Sequence, residues 1–285
     1  MTPFEKTNQD FLGFLHQPET QWDLIKGALL IARQQYPELD EQKYLRMADK
    51  MAKEAAGLLA ASGTKQEKID RLNHFFFEEL GFRGNQEDYY DLRNSYICDV
   101  LDSKQGIPVT LSALYLKLAW EAGCPVYGIN FPGHFLVAWK ESTSDMDLNI
   151  YLDVFDRGKA LGRPELTTLL EKTGGSPQVL APEHHLRNAG IKDILHRMLG
   201  NLKSIHAAQH QMERALWAAD WMFLLKSNDW NSLRDKGLFC FSLGRMDESE
   251  KYLELYLEKT GKPVDYAQVW QVLYAIRAQS PASMN

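Results

Sequence analysis

An α+β protein ending in an all-helical, repeat-built tail is the fold class this sequence predicts, on three observations. Apolar residues recur at three- and four-residue steps from Thr20 to about Leu80, an apolar helix opening at Pro108 is followed by three short strand-like segments, and beyond a Gly/Pro-rich stretch the alternation vanishes and helical patterning returns. With 285 residues, 45% hydrophobic and 25% charged, the chain is long enough for two compact units or one core with an appendage.

The elements follow in chain order. Trp22, Leu24, Ile25, Ala28, Leu29, Ile31 and Ala32 mark one amphipathic helix, and Tyr44, Leu45, Met47, Ala48 and Met51 a second. They are broken at Tyr36-Pro37-Glu38, because proline cannot continue a helix and biases its predecessor toward an extended backbone. A third helix, about Lys65 to Leu80, carries Ile69, Leu72, Phe75, Phe76 and Leu80 on one face and stops at Gly81-Phe82-Arg83-Gly84-Asn85. The stretch from Asp88 to Tyr96 is dense in hydrogen-bonding side chains. Tyr89, Tyr90, Asn94 and Tyr96 read equally as the rim of a ligand cleft or as a set of buried structural bonds.

Gly106-Ile107-Pro108-Val109-Thr110-Leu111-Ser112 opens an apolar helix to about Ala122, with proline in the first turn, where its missing N–H is no loss. Strands are expected over Pro125 to Asn130, Phe135 to Trp139 and Asn149 to Phe155, with acidic Glu141 to Asp147 as the turn between the last two. Beyond Gly174-Gly175-Ser176-Pro177 the pattern is helical from near Ala189. Met212-Glu213-Arg214-Ala215 returns in kind as Met246-Asp247-Glu248-Ser249, 34 residues on, which is the tetratricopeptide period. Gly237, Leu243-Gly244-Arg245, Leu253 and Tyr256 fit that repeat, whereas His210 stands where a small residue is usual. Two repeats and a capping helix over about Val264 to Ala278 are expected, with Trp217, Trp221, Phe223 and Trp230 more often inter-helix core than peptide anchors.

Charge and cysteine usage narrow the function. A net charge of −6 argues against a large phosphate-binding surface, so no direct nucleic-acid partner is expected. Cys98, Cys124 and Cys240 are far apart, odd in number and free of CxxC spacing, which fits a reducing, cytoplasmic setting without disulfides or a thiolate zinc site. Met1 to Phe11 shows no secretory signal, and runs such as Gly27 to Ala32 are too short to span a membrane. His206 and His210 share a helical face but lack the glutamate of the zinc-protease pattern. His184-His185 reads as an exposed loop pair, so neither metal nor cofactor is expected.

Asn94-Ser95-Tyr96, Gly106 to Ser112 and Phe131-Pro132-Gly133-His134-Phe135-Leu136-Val137 together resemble the SirB family of bacterial proteins, whose members look like a transglutaminase-type core joined to tetratricopeptide repeats. The resemblance extends to Gly81–Asn85, Tyr89-Tyr90-Asp91 and the tail. It implies a papain/transglutaminase-like core over residues 1–175, with N-terminal helices over about 1–85, a linker at 176–188 and a repeat tail at 189–285. Active transglutaminase-like enzymes carry a cysteine nucleophile two residues after a glycine at the start of the central helix. Laid on that frame, Gly106 is the leading glycine, Gly123-Cys124-Pro125 matches a later turn, and the nucleophile position falls on Pro108. Proline has no side-chain heteroatom to attack a carbonyl, whereas the chemistry needs a thiolate paired to an imidazole.

The resemblance supplies counterparts for the other two triad members, His134 and Asp153 in Leu152-Asp153-Val154-Phe155-Asp156. These either shape a polar cleft for a ligand or peptide, or form a buried pair serving stability alone. Ser112, one helical turn beyond Pro108, is the remaining hydroxyl on that face, although a helix-interior serine ordinarily bonds a backbone carbonyl. Two expectations follow. One is a non-catalytic protein-binding or regulatory protein, a pseudoenzyme whose partner is a protein or peptide. The other is a hydrolase or acyl-transferase on amide bonds, with His134 oriented by Asp153 and acting on water or Ser112.

Overall fold

The computed structural model describes residues 2–140, 148–172 and 182–279, and the chain divides into two compact units, Met1–Met198 and Leu199–Asn285. The turn expected over Glu141 to Asp147 and the Gly174-Gly175-Ser176-Pro177 stretch lie outside the described residues. Elsewhere the fold class is the expected one, a helical N-terminal region and a small antiparallel sheet followed by an all-helical tail.

Apolar periodicity begins at Thr20, but the structure begins earlier, with α1 (Pro3–Leu15). Its start is a capping box. Thr2 Oγ1 accepts from the Glu5 N–H at 3.2 Å, Glu5 Oε2 accepts from the Thr2 N–H at 2.7 Å, and Pro3 occupies the first turn. Only Thr7, Phe11 and Phe14 are buried, too sparse a stripe to register as a period. Next come α2 (Leu24–Arg33), capped by Asp23, and α3 (Glu41–Ala60), capped by Asp40. Gly27 lets α2 pack closely: a Cβ there would meet Leu195 Cδ1 at 2.6 Å.

The third expected helix is α4 (Lys65–Asn73), continued by a π-helical turn over His74–Glu79 that the Leu80 N–H closes on the Phe75 carbonyl at 2.9 Å. The wider turn allows Phe75, Phe76 and Phe77 all to be buried, which one α-helical face cannot do. Phe76 stacks on Phe82 with centroids 4.6 Å apart and meets Tyr115 edge-on at 5.4 Å.

A two-residue parallel ladder, β1 (Arg83–Gly84) with β2 (Gln105–Gly106), brackets α5 (Ile97–Ser103). The central helix α6 (Pro108–Glu121) follows. Leu111, Leu114, Leu116 and Leu118 are 0% exposed, each contributing about 1.5–3 kcal/mol of burial. Its start is tied by Thr110, whose Oγ1 accepts from the Ile107 N–H at 3.1 Å and donates to the Asn94 carbonyl at 2.8 Å.

β3 (Val126–Ile129), β4 (Leu136–Trp139) and β5 (Ile150–Asp153) fall within the three expected strands. β6 (Lys159–Leu161) and β7 (Asn188–Ala189) are too short to show alternation, and they complete an antiparallel sheet in the order β6-β5-β4-β3-β7. α6 packs on β3 and β4. Ile129, Leu136, Ala138 and Tyr151 cluster with Leu166 and Leu170 of α7 (Arg163–Glu171), so every residue of β4 is buried. A short helix, α8 (Pro182–His185), precedes β7.

The unit boundary falls within α9 (Ile191–Ala208). The tail continues with α10 (Met212–Leu225), α11 (Trp230–Ser242), α12 (Met246–Thr260) and α13 (Tyr266–Gln279). His210, the residue out of keeping with the repeat, takes φ +58°, and its counterpart 34 residues on, Gly244, takes φ +75°. The same left-handed turn thus leads into α10 and α12, with histidine accepting the strain in the first copy. Trp217 and Trp221 are buried edge-on with centroids 5.2 Å apart, and Phe223 and Trp230 pack against the buried Leu233–Leu253–Tyr256 cluster, the core role expected of them.

Gly237 sets the closest approach in this unit. A Cβ there would lie 2.6 Å from Leu253 Cγ, and Ser249 Oγ donates to the Gly237 carbonyl at 2.8 Å. Gly237→Val is expected to destabilise the tail by about 2 kcal/mol through overpacking, read as a lower midpoint in denaturant.

His206 is 0% exposed, with Nδ1 2.8 Å from Gln211 Oε1 and Nε2 buried without a partner. Burial lowers its pKa from 6.5, Gln211 opposing and Arg214 adding to the effect. The unfolded chain therefore takes up the proton more readily than the folded one. The stability carried by the neutral ring is complete above about pH 6.5 and is lost as pH falls below it. Melting of the tail at pH 7 and pH 5 checks this, with a smaller difference expected for His206→Gln.

Candidate functional site

A tight turn and a strand register bring His134 and Asp153 together. After β3 the chain turns through Phe131-Pro132-Gly133-His134, Gly133 at φ +64° and the His134 N–H donating to the Phe131 carbonyl at 3.1 Å. His134 thus stands two residues before β4. Asp153 ends β5, which pairs antiparallel with β4, Val137 opposite Leu152. His134 Nε2 lies 2.9 Å from Asp153 Oδ2, with side chains only 14% and 13% exposed.

The carboxylate is fixed by its backbone. Asp153 Oδ1 accepts from the Phe155 N–H at 3.0 Å and the Asp156 N–H at 3.2 Å. Since a carboxylate accepts, His134 Nε2 is the donor, which leaves the lone pair on Nδ1. That is the tautomer a general base needs, held by an orienting carboxylate.

Phe155 connects this pair to the aromatic stretch, its ring edge-on to His134 at 6.3 Å and to Tyr89 at 5.7 Å. Gly84 makes room, because a Cβ there would meet the Phe155 ring at 2.6 Å. Tyr89 in turn packs edge-on against Tyr90, which is 74% exposed.

The four residues Tyr89, Tyr90, Asn94 and Tyr96 therefore separate into two groups. Asn94 is buried: its Oδ1 accepts from Asn85 Nδ2 at 3.1 Å and its Nδ2 donates to the Asp88 carbonyl at 2.7 Å. Tyr96 is 2% exposed and packs edge-on against Tyr36. These two are buried within the fold, while Tyr89 reaches the His134–Asp153 pair through Phe155 and Tyr90 packs on the outer side of Tyr89. Asn94→Ala takes the Asn94 partner from the Asn85 amide and the Tyr89 carbonyl, and leaves the Asp88 carbonyl with the Asp91 N–H alone. It is expected to remove about 2 kcal/mol and to raise amide hydrogen exchange over residues 85–90.

Pro108 is buried in the first turn of α6 and offers no reacting atom. Ser112 Oγ is buried with no hydrogen-bond partner, so it bonds neither to His134 nor, as helix-interior serines usually do, to a backbone carbonyl. The thiols are no substitute. All three are buried and free, and burial pushes Cys98 up to about 12, Cys240 up to about 11 and Cys124 in the same direction. Among the described residues no cluster of three or more His, Cys, Asp or Glu could hold a metal ion. His184 is exposed and His185 lies against the Phe131 ring at 6.4 Å.

Two residues that bear on the pair carry no mark of it in the sequence. Arg197 of α9 donates through Nη1 to Asn130 Oδ1 at 3.1 Å, and Asn130 immediately precedes the turn that ends at His134. A lone arginine in an amphipathic helix carries no sequence signal. Phe155 lay inside a recognised segment, but only the register shows that its ring reaches His134.

Residues 42–200 match the family model described as the transglutaminase-like superfamily, and residues 202–274 match a tetratricopeptide repeat model. A protein of Xylella fastidiosa named UPF0162 protein is 33% identical over 239 residues, covering 82% of this chain and 84% of its own. One of the same name from Vibrio cholerae is 31% identical, covering 75% and 78%. Human F-box only protein 21 is 35% identical over 145 residues, 50% of this chain but 22% of its own. No solved structure matches the chain significantly. No helix among the described residues is long and apolar enough to cross a membrane.

Proposed function

Because the chain belongs to the transglutaminase-like superfamily, we propose that it is a non-catalytic member that binds a protein or peptide through the cleft at His134 and Asp153. The observation that carries this reading is Pro108, at the start of α6 where the superfamily's nucleophile would stand, beside an acid–histidine pair that keeps its geometry. A pair without a nucleophile still offers an oriented imidazole and a fixed carboxylate, and Tyr89 and Tyr90 supply aromatic surface. The tetratricopeptide repeats add a second surface suited to protein interaction. Residues 1–175 are the core of this proposal, 176–188 the linker and 189–285 the tail. The resemblance to the SirB family supports a regulatory role, exerted through a protein partner given the net charge of −6.

The test is turnover. Purified protein is offered glutaminyl peptides with a primary amine, and peptides alone, beside His134→Ala. Equal background from both proteins is expected. Turnover that depends on His134 overturns the proposal and favours a hydrolase or acyl-transferase in which His134 activates water. Partner retention by wild type, with loss in a folded His134→Ala, Asp153→Ala variant, would locate recognition in the cleft. Equal retention would move it to the tail.

A further inference from the structure

Three arginines among the described residues are half-buried, and two of them are neutralised twice over. Arg33 Nη1 lies 2.8 Å from Asp10 and 2.6 Å from Glu41, and Arg234 holds both Asp235 and Asp265 at 2.7 Å. The third, Arg197, has among the described residues a single hydrogen-bond partner, the neutral amide oxygen of Asn130 at 3.1 Å. Among the described residues no carboxylate pairs with it. Withdrawing a guanidinium from water without a counter-charge is costly, and proteins ordinarily pair such groups. Arg197 is held so at Asn130, four residues before His134, and in the field of Tyr89, which Asp153 also reaches.

The position is specific. Asn130 Oδ1 engages one Nη1 hydrogen, which orients the guanidinium plane and leaves the donors on Nη2 without a partner among the described residues. Asn130 immediately precedes the turn, from Phe131 to His134, that ends at the imidazole. On the other side, Tyr89 packs on Phe155, which packs on His134. Among the described residues the Tyr89 hydroxyl has no hydrogen-bond partner, and burial raises its pKa while the charge of Arg197 lowers it, which puts the two groups in each other's field. Burial likewise lowers the pKa of Arg197, an effect that a bound anion would reverse.

We propose that Arg197, with the Tyr89 hydroxyl beside it, is the anion-recognising end of the His134–Asp153 cleft, and that the ligand it receives is a peptide carboxylate. This inference rests on the peptide-binding reading above and names the chemistry of the ligand. A planar guanidinium with free forked donors matches a carboxylate in two parallel hydrogen bonds. One unpaired positive charge balances a monoanion, and the carboxylate of Asp153, whose field also reaches Tyr89, disfavours a dianionic phosphate. The carboxylate comes from a chain terminus or from an Asp or Glu side chain, and both sources present the same group to Arg197.

The experiment uses the full-length protein and three pools of randomised hexapeptides, with binding read by saturation-transfer NMR and calorimetry. One pool has free C-termini, one is amidated without acidic residues, and one is amidated with a single fixed Glu. The free-terminus or the Glu pool is expected to bind at least about ten-fold more tightly than the amidated neutral pool, which identifies the source of the carboxylate. Arg197→Gln is expected to abolish that preference, and Arg197→Lys, which keeps the charge but loses the fork, to retain part of it, both checked for folding by circular dichroism. Equal binding of all pools, or a preference that survives Arg197→Gln, overturns the inference while leaving the peptide-binding reading intact. No binding by any pool overturns both. Displacement by inorganic phosphate at lower concentration than by acetate overturns the carboxylate assignment.

Discussion

Replacing Tyr115 by alanine is expected to remove about 4 kcal/mol of stability, within the range for deleting a buried aromatic ring. Tyr115 lies in the middle of α6 at 1% exposure, its ring edge-on to Phe76 at 5.4 Å and stacked on Phe77 at 6.4 Å. The π-helical turn exists to deliver those two rings, so truncation leaves a cavity that a rigid helix and a widened turn cannot easily close. The hydroxyl adds a separate term, donating to Asn73 Oδ1 at 2.8 Å, while Asn73 Nδ2 donates to the Gly158 carbonyl at 3.3 Å. Tyr115→Phe keeps the ring, strands the Asn73 oxygen and is expected to cost about 1–2 kcal/mol. Denaturant midpoints of the two variants separate the contributions. Equal losses would mean that the hydroxyl, and not the ring, anchors α6. Gly158 follows Asp153 closely in the chain, so the bond through Asn73 also links the central helix to the turn that fixes the carboxylate.

How far the sequence was legible follows from which signals are local. The strands of β3, β4 and β5 were readable because each carries its own alternation or apolar run between turn residues. β6 and β7 were not, since three and two residues cannot show a period. α1 was missed for the opposite reason. Its apolar face is sparse, and its clearest mark is Thr2-Pro3-Phe4-Glu5, a capping box with proline in the first turn, which periodicity does not weigh. The 34-residue repeat was visible despite His210, and the structure gives the reason for the mismatch: the left-handed turn is kept with a residue other than glycine. At the candidate site, His134 and Asp153 could be paired only through a family frame, because the register that joins them is a property of the sheet. Tyr96 and Tyr89 look alike in sequence, and it is tertiary packing that buries one and leaves the other beside Phe155. Arg197 was illegible altogether, since the role proposed for it rests on the absence of a counter-charge among the described residues, and an absence of that kind exists only in three dimensions.

Two substitutions at Asp153 separate the structural from the chemical role of its pair with His134. Asp153→Ala removes the acceptor for His134 Nε2–H and for the Phe155 and Asp156 N–H groups at once. Stranding two part-buried donors, with the exposed Asp156 N–H left to solvent, is expected to cost about 3 kcal/mol, which for a unit of this size is a melting shift of roughly 6–12 °C. Asp153→Asn keeps an oxygen for the two backbone donors, so its expected loss is about 1 kcal/mol, but its amide NH2 now donates where the carboxylate accepted. The imidazole must then present a lone pair at Nε2 and carry its proton on Nδ1, the reverse of the wild-type tautomer. Nitrogen-15 NMR of the ring reads that inversion directly. If peptide binding follows the tautomer and fails in this well-folded variant, Nδ1 accepts a hydrogen bond from the ligand, and the geometry inherited from a catalytic base is used for recognition. If binding is unchanged while the tautomer inverts, the pair serves the turn at Phe155 and Asp156 alone, and the recognition proposed for this site reduces to Arg197 and Tyr89.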